Sequence, residues 1–560
     1  MLRLAALTLL PFAVYGARVQ ECPTYGAVHP PNFDISKSDA LASAIEAFPG
    51  EVERLFTDNV LNKTNLAFGI DVFSTTTNTS LYSYYHTGDS LKGALLTGEF
   101  NESTVSRIGS VSKLFTVYAL LSQVGLEIFD DPVTKYVPEL KGNADKDPLK
   151  YVHWEDVTIR AIISQQAGTG GPSMEMVTCY DEPEGCSIDT ALKQLRDARS
   201  PTTLPFQTPL YSDAGFIVLG RVLEAIQGKP YDEALKETLG PLLDFEYTST
   251  YEPPNGTNGI ALPGTAGDSS WGVDNQLTAP SGGIYTTGND LRSLGLSILN
   301  SEVLPSKDTR RWMKPAGATE SLNVLVGAPW EIIRLNMPVS PNSDRTRVSD
   351  LFTKLGGNSG YGAVMALSPE HGLGFSVMTV GPLAAVDRLH IRNVVGDVFL
   401  PAAEHAAFAN AQANLAGTFV EESGKDGTNL TLTVDEGSPG LGLKALFLDG
   451  ADSLGIVKLI PFPPEVKFTI RMYPTGNTSP PDMLYATGGS VKLSYRAQRD
   501  VLPFRNHEVP SIGRGMFNNE CMSWIDVGFL GNEDEFILEL EDGRLEAVTH
   551  SLSGYRMVRQ

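Results

Sequence analysis

The sequence predicts an α/β (α+β) domain followed by an antiparallel all-β domain, and three observations carry this prediction. Helical and strand-like patterns are mixed along the chain from Ser38 to Ala416. After Gly417, short runs of alternating apolar and polar residues are separated by Gly, Pro, Asn and Asp, which is typical of a β-barrel or β-sandwich. The 560 residues suffice for two or three domains, and a 42% hydrophobic share against 19% charged residues indicates a large core.

The first part of the chain carries the mixed pattern. Apolar residues at helical spacing predict an amphipathic helix over 38–60, and two β-rich runs at 67–74 and 81–86 predict a hairpin. Further helices are predicted over 107–124, 157–164, 215–227, 290–299 and 388–416, and strands with Gly-rich turns are predicted over 355–380.

The sequence pattern changes near 410–417 from a helical stretch to short runs of alternating apolar and polar residues. We place a domain boundary there. The two predicted domains therefore cover 18–410 and 411–560. The alternating runs that indicate the second domain are 430–434, 466–472, 491–495 and 536–540.

Residues 1–17 predict a secretory signal peptide. Arg3 precedes an apolar run from Leu4 to Val14, and small residues at Gly16 and Ala17 suit cleavage after the latter. A membrane anchor is the alternative, but the run is shorter than the ~20 apolar residues that cross a bilayer, and no later stretch is judged long and apolar enough. We expect an extracellular monomer without a membrane span, whose Pro-rich segment 22–32 forms a strap on the surface.

Four cysteines and six glycosylation sequons agree with export. An even cysteine count in a secreted chain predicts disulfides, and the short loop between Cys179 and Cys186 predicts a local bridge, leaving Cys22 to pair with Cys521. Zinc is the alternative, but the cysteine spacing does not suit it. Glycosylation is predicted at Asn62, Asn78, Asn101, Asn255, Asn429 and Asn477.

The net charge of −23 excludes two partner classes. An acidic surface repels phosphate backbones and anionic lipid, so we expect neither nucleic acid nor membrane docking. The chain also lacks a His-Glu-x-x-His motif, a Cys-x-x-Cys pair and clustered carboxylates, so no metal or cofactor is expected.

The motif Ser-x-x-Lys occurs once, at Ser110 and Lys113. Three residues along a helix place both side chains on one face, so that the amine reaches the hydroxyl. A serine hydroxyl needs such a neighbour to lose its proton and become a nucleophile. The alternative is a helix-capping serine beside a surface lysine.

Two further short motifs follow downstream. Tyr211 and Asp213 precede an apolar helix, and a tyrosine near an ammonium can act as a general base. Lys354 precedes Gly356 and Gly357 in a β-rich stretch, where glycine allows a backbone N–H to approach a ligand and complete an oxyanion hole. Each motif alone is equally consistent with a purely structural role.

In this order, the three motifs resemble the penicillin-recognising serine hydrolase superfamily, in particular its class C β-lactamase and carboxypeptidase/esterase branch. Further similar stretches are 154–164, 281–287, 327–331 and 357–374. The likeness covers roughly 35–405 and is strongest to secreted fungal β-lactamase-like proteins with an added C-terminal β domain. It implies a β-lactamase/transpeptidase-like fold with a central antiparallel sheet flanked by helices.

The resemblance also implies roles for these residues. Ser110 would form an acyl-enzyme, while Lys113 and Tyr211 would move its proton. The N–H groups of Ser110 and Gly357 would hold the oxyanion, and Lys354 would supply positive potential. The chain departs from the family pattern at Asp213, where asparagine is more common, and at Leu355, where penicillin-binding members often carry threonine, so antibiotic hydrolysis is not the expected activity.

Three functional hypotheses follow from the sequence. The first is a secreted hydrolase that cleaves a small ester or amide through Ser110. The second is an acyltransferase of secondary metabolism that uses the same acyl-enzyme. The third is a catalytically silent binding protein, motivated by Asp213 and Leu355. A Ser-His-Asp esterase is disfavoured because the chain has no Gly-x-Ser-x-Gly motif.

Overall fold

The structure is a computed structural model that describes residues 21–172, 187–265, 267–424, 427–457, 468–501, 523–528 and 531–560. The predicted signal peptide and Cys179, Cys186 and Cys521 lie outside these ranges. Cys22 lies inside them and is not a free thiol. The signal peptide and the pairing of both predicted disulfides therefore stay predictions.

An eight-stranded antiparallel sheet forms the centre of the N-terminal domain. Its strand order is β2-β1-β10-β9-β8-β7-β6-β5, and β3 and β4 form a separate ribbon. The strands are β1 Ala67–Ser74, β2 Thr79–Thr87, β3 Ser106–Arg107, β4 Tyr285–Thr286, β5 Gly317–Ala318, β6 Val324–Val326, β7 Glu331–Pro338, β8 Thr346–Asn358, β9 Tyr361–Ser368 and β10 Leu373–Val380.

Helices cover both faces of this sheet, which confirms the predicted fold class. The described helices are α1 Asp39–Thr57, α2 Ser112–Val124, α3 Ile159–Ile163, α4 Ile188–Asp197, α5 Asp213–Gln227, α6 Tyr231–Leu243, α7 Ala279–Gly282, α8 Gly288–Leu299, α9 Ser306–Trp312, α10 Ala384–Asn414 and, in the C-terminal domain, α11 Ser523–Asp526. Strands β1, β9 and β10 are buried along their whole length because helices cover them on both sides.

Two apolar cores lie on opposite faces of the sheet. Helices α2, α5, α6 and α8 contribute to one core, and α1 and α10 pack against the other face. The expectation that no stretch after the signal peptide could cross a membrane is wrong. The segment Gly109–Asp130 is apolar and long enough to do so. In the fold, however, 72% of its most apolar window is buried, so α2 is accounted for as a core helix.

The C-terminal domain is an antiparallel barrel. Its strands are β11 Gly417–Glu421, β12 Asn429–Thr433, β13 Leu441–Leu448, β14 Ala451–Asp452, β15 Phe468–Ser479, β16 Ser490–Val501, β17 Glu535–Glu541, β18 Arg544–His550 and β19 Arg556–Arg559. The sheet runs β12-β11-β19-β18-β17-β16-β15-β13-β14, and a pairing of β12 with β13 closes it. Of the two predicted alternatives, barrel and sandwich, the structure contains the barrel.

The predicted surface strap is buried in its second half, residues 28–32, whereas Tyr25 is 52% exposed. Val28 and His29 are almost inaccessible to solvent. The ring of His29 packs edge-on against that of Phe408 in α10, with 6.2 Å between the ring centres. Gln498 of the barrel donates a hydrogen bond to the carbonyl of Cys22 at 2.8 Å. The segment therefore contacts both domains, and its Pro-rich composition gave no sign of this position.

A buried ion network joins the sheet to α10. Arg347 of β8 donates two hydrogen bonds to the Glu404 carboxylate, at 2.8 and 2.7 Å, and one to Glu370 at 2.7 Å. His371 lies 2.7 Å from the same Glu404 carboxylate. Burial alone would raise the pKa of Glu404, but the charge of Arg347 and the hydrogen bonds from Arg347 and His371 hold it far below 4.5.

We predict that Glu404→Gln destabilises the protein by about 2–3 kcal/mol, because it removes one of the two carboxylates that pair with the buried Arg347 and weakens the charged hydrogen bonds between them. Since the folded-state pKa of Glu404 is depressed, its stabilisation is full above pH 4.5 and is lost as the pH falls below that value. Thermal unfolding should show a gap between the two proteins at pH 7 that narrows below pH 4.5. Exposed Glu46→Gln is the control, and an equal gap at both pH values would contradict the account.

Candidate active site

Ser110 lies in a tight turn at the start of α2. Residues Gly109–Val111 form one 3₁₀ turn, and α2 begins directly afterwards at Ser112. The Ser112 hydroxyl donates to the carbonyl of Gly109 at 2.7 Å and accepts from Ile284 N–H at 3.1 Å. These bonds fix the turn from both sides, so the Ser110 hydroxyl has a defined position at the helix start.

Lys113 is fully buried and brings three chain segments together. Its ammonium donates to the Ser110 hydroxyl at 3.1 Å, to the Asp213 carboxylate at 2.5 Å and to the Ser281 carbonyl at 2.8 Å. These acceptors lie at the start of α2, at the first residue of α5 and in α7. Because a buried ammonium has three N–H donors, this arrangement satisfies its hydrogen-bonding capacity completely.

Tyr211 lies between two ammonium groups. The nitrogen of Lys113 is 4.8 Å from the centre of its ring, and that of Lys354 is 5.3 Å away. The side chain is 44% exposed, and its hydroxyl forms no hydrogen bond with any residue in the described ranges. Tyr211 is thus accessible to a ligand, and two ammonium groups, those of Lys113 and Lys354, lie close to its ring.

Gln165 positions the segment that carries Tyr211 and Asp213. Its side-chain oxygen accepts from Ser212 N–H at 2.8 Å, and its carbonyl accepts from Leu210 N–H at 2.7 Å. Ser212 then caps α5 by accepting from Gly215 N–H at 3.1 Å. Gln165 therefore supports the site without lining it.

Glycines allow β8 to lie against the Ser110 turn. A Cβ at Gly356 would collide with the Ile108 carbonyl and lie 2.9 Å from the nitrogen of Ser110. A Cβ at Gly109, whose φ is +51°, would collide with Gly357. Close approach of backbone to backbone therefore explains the predicted Gly356 and also Gly109, whereas a Cβ at the predicted Gly357 would meet the side chains of Arg388 and Ala385.

The nitrogen of Gly357 lies beside this turn, since a Cβ added at Gly109 would be 2.3 Å from it. The N–H of Leu355 donates to Glu331 at 2.9 Å, on the side of β8 away from β9. Residues two apart in a strand direct their N–H groups to the same side, so that of Gly357 also points away from β9. The N–H groups of Ser110 and Gly357 are therefore the candidate oxyanion-hole donors.

Glu331 is a site residue that we did not assign from the sequence. Its carboxylate accepts from the Lys354 ammonium at 2.5 Å as well as from Leu355 N–H. Burial alone would lower the pKa of Lys354, but Glu331 and the nearby Tyr211 raise it above its ordinary value. The sequence signal was present in the run Gly327 to Glu331, which carried a family likeness but no assigned role.

The structure thus brings together Ser110, Lys113, Tyr211, Asp213, Lys354, Gly356 and Gly357. The predicted sequons lie elsewhere on the surface: five of the asparagines are exposed, and Asn429 in β12 is half-buried. Their glycosylation stays a prediction.

Comparison with known proteins identifies the family. A family model described as "Beta-lactamase" matches residues 72–395, which is more than half of the chain, so the chain belongs to the β-lactamase family. A second model, described as "Beta-lactamase-like-like, C-terminal domain", matches residues 407–560 and covers the barrel. The protein is therefore a β-lactamase-like serine hydrolase by family.

The chain is also similar to individual proteins. A "Beta-lactamase-like protein" of Arthroderma benhamiae is 27% identical over 602 aligned residues, covering 96% of each chain. A "Probable hydrolase M10" of Phoma sp. is 27% identical, covering 75% of this chain and 72% of the relative. A solved β-lactamase/D-alanine carboxypeptidase from Yersinia pestis is 19% identical with a TM-score of 0.48, covering 65% of this chain and all of that one.

We predict that Glu331→Gln lowers the turnover number for p-nitrophenyl butyrate at least tenfold, because it leaves the buried Lys354 ammonium unpaired. Removing the carboxylate also lets burial lower the pKa of Lys354. The charged form is then lost earlier as the pH rises, so the alkaline limb of the pH–rate profile should move to lower pH. Exposed Glu320→Gln is the control, and an unchanged profile in Glu331→Gln would contradict this role.

Proposed function

We propose that this protein is a secreted hydrolase that cleaves an ester or amide through an acyl-enzyme on Ser110. The observation that supports this most directly is the hydrogen bond from the buried Lys113 ammonium to the Ser110 hydroxyl at 3.1 Å. A serine becomes a nucleophile when an adjacent group takes its proton or assists its removal. Lys113 and Tyr211 are the candidates for this role. The N-terminal signal-like segment supports secretion.

In the proposed first step, the Ser110 oxygen attacks the substrate carbonyl carbon and its proton passes to Tyr211. The charges of Lys113 and Lys354 compensate the phenolate that accepts it. The N–H groups of Ser110 and Gly357 stabilise the oxyanion. When the tetrahedral intermediate collapses, the bond to the leaving group breaks and Tyr211 returns the proton to that group.

In the proposed second step, water attacks the acyl-enzyme. Tyr211 takes a proton from the water as the new carbon–oxygen bond forms. The bond to the Ser110 oxygen then breaks, the acid is released and the serine regains its proton. An alcohol or amine acceptor in place of water would give acyl transfer, so product analysis with and without an acceptor distinguishes the two reactions.

Asp213 favours an ester over an acylamino β-lactam as the substrate. An ionised carboxylate only accepts hydrogen bonds, whereas an asparagine amide also donates to a substrate carbonyl. Asp213 already accepts from Lys113, and its side chain is one-third exposed towards the site. Leu355 likewise offers no hydroxyl to a β-lactam carboxylate.

We predict that a fluorophosphonate probe labels the protein once, on Ser110. Ser110→Ala should abolish the label, whereas Ser122→Ala in α2 should retain it, because among the described residues Ser122 bonds only to the carbonyl of Ala119. Intact-mass analysis and peptide mapping provide the measurement. A label that survives in Ser110→Ala would refute the proposed nucleophile.

We predict that Asp213→Asn raises kcat/KM for the acylamino β-lactam nitrocefin relative to p-nitrophenyl butyrate by about tenfold. The new amide can donate one hydrogen bond to the acylamino carbonyl, which accounts for a gain of about 1–1.5 kcal/mol. The ratio of the two kcat/KM values measures the effect. A ratio that stays the same or falls would contradict the proposed role of Asp213 in specificity.

A further inference from the structure

A cavity of about 400 Å³ lies beneath α10 on the face of the sheet opposite Ser110. Its volume falls within the range of small-molecule sites. We call it the α10 trough. The sheet side of the trough, its floor, is mainly apolar and carries Ile333, Leu335, Met337, Leu351 and Phe375, with Asn336 and Thr353 beside them, and Leu400 of α10 lines the opposite side.

Gly396 of α10 keeps this trough open. A glycine inside a helix costs about 1 kcal/mol relative to alanine. Here no tight contact requires it, since a Cβ at this position would meet only the side chain of Leu400, at an ordinary 3.8 Å. The residue lines the trough, so the missing side chain leaves space above the apolar floor.

Arg392 lies at the polar end of the trough, one helical turn before Gly396. Its guanidinium donates only to the side chain of the adjacent Asn393, at 3.2 and 2.8 Å, and forms no ion pair within the described ranges. Burial lowers its pKa, with the nearby charge of Glu331 opposing that effect. Asp397 also lines the rim, but it is solvent-exposed, so water and salt screen its charge.

We propose that the α10 trough binds a straight-chain carboxylate, whose hydrocarbon chain covers the apolar floor while its carboxylate pairs with Arg392. At roughly 30 Å³ per chain atom, close to the volume of a water molecule, the trough holds a chain of roughly ten carbons. A sugar or nucleotide would leave its polar groups unpaired on this floor, and a cation would meet the charge of Arg392. The site is independent of the chemistry proposed for Ser110.

The test is calorimetric titration of sodium decanoate, below its micelle concentration, into the whole Ser110→Ala protein. We expect saturable binding with one site, and an affinity that falls roughly fourfold for each methylene removed from decanoate to hexanoate. Decanol, which lacks the charge, should bind at least tenfold more weakly, as should decanoate to Arg392→Gln. Arg311→Gln, on the exposed side of α9, is the matched control.

Gly396→Leu fills the trough without a backbone collision and improves helix propensity, so it should fold with an unchanged or raised melting temperature and lose decanoate binding. Gly50→Leu is its control, because Gly50 is also inside a helix with open space around its Cβ position, and it should bind decanoate normally. Binding that persists in Gly396→Leu, equal binding of decanol, or no saturable binding to the parent protein would each overturn the proposal. If Gly396→Leu does not fold, the Arg392→Gln titration decides alone.

A second titration separates the trough from the site at Ser110. The parent protein with native Ser110 is first labelled with the fluorophosphonate probe and then titrated with sodium decanoate. Saturable binding should persist, whereas binding that is lost when the probe occupies Ser110 would refute the proposal.

Discussion

The buried ammonium of Lys113 is the interaction on which the site depends. An unpaired charge in this position would cost several kcal/mol, so the fold must supply acceptors to it. It does so from the Ser110 turn, from the first residue of α5 and from α7, three segments that are distant in sequence. A single charge therefore fixes the positions of a serine, a carboxylate and a carbonyl relative to one another.

The second constraint is the close approach of β8 to the Ser110 turn. Glycines at 109 and 356 permit it, and the Lys354–Glu331 pair holds the open edge of β8 beside the first residue of β7. The site gathers the buried ammonium groups of Lys113 and Lys354 around the ring of Tyr211, on a protein of strongly negative net charge. Positive charge is therefore concentrated locally although the protein as a whole is acidic.

The fold class and the principal site residues could be predicted because their signals are local or follow the order of the family motifs. The hairpin strand at Ala67–Ser74 was placed correctly, since turn residues bound a purely β-rich run. Glu331 was missed because its pairing with Lys354 arises from the register of β7 against β8, in which Glu331 lies opposite Thr353. The burial of residues 28–32 was missed because it results from contacts with distant parts of the chain, such as Phe408, which no local pattern records.

The central claim is that Ser110 becomes covalently acylated during turnover. The most direct measurement is rapid-quench mass spectrometry of the intact protein with a slowly hydrolysed ester, followed by peptide mapping. The account predicts a transient mass increase equal to the acyl group, located on the peptide that contains Ser110, and its decay as the acid is released. Turnover without any covalent adduct, or an adduct on another residue, would contradict it.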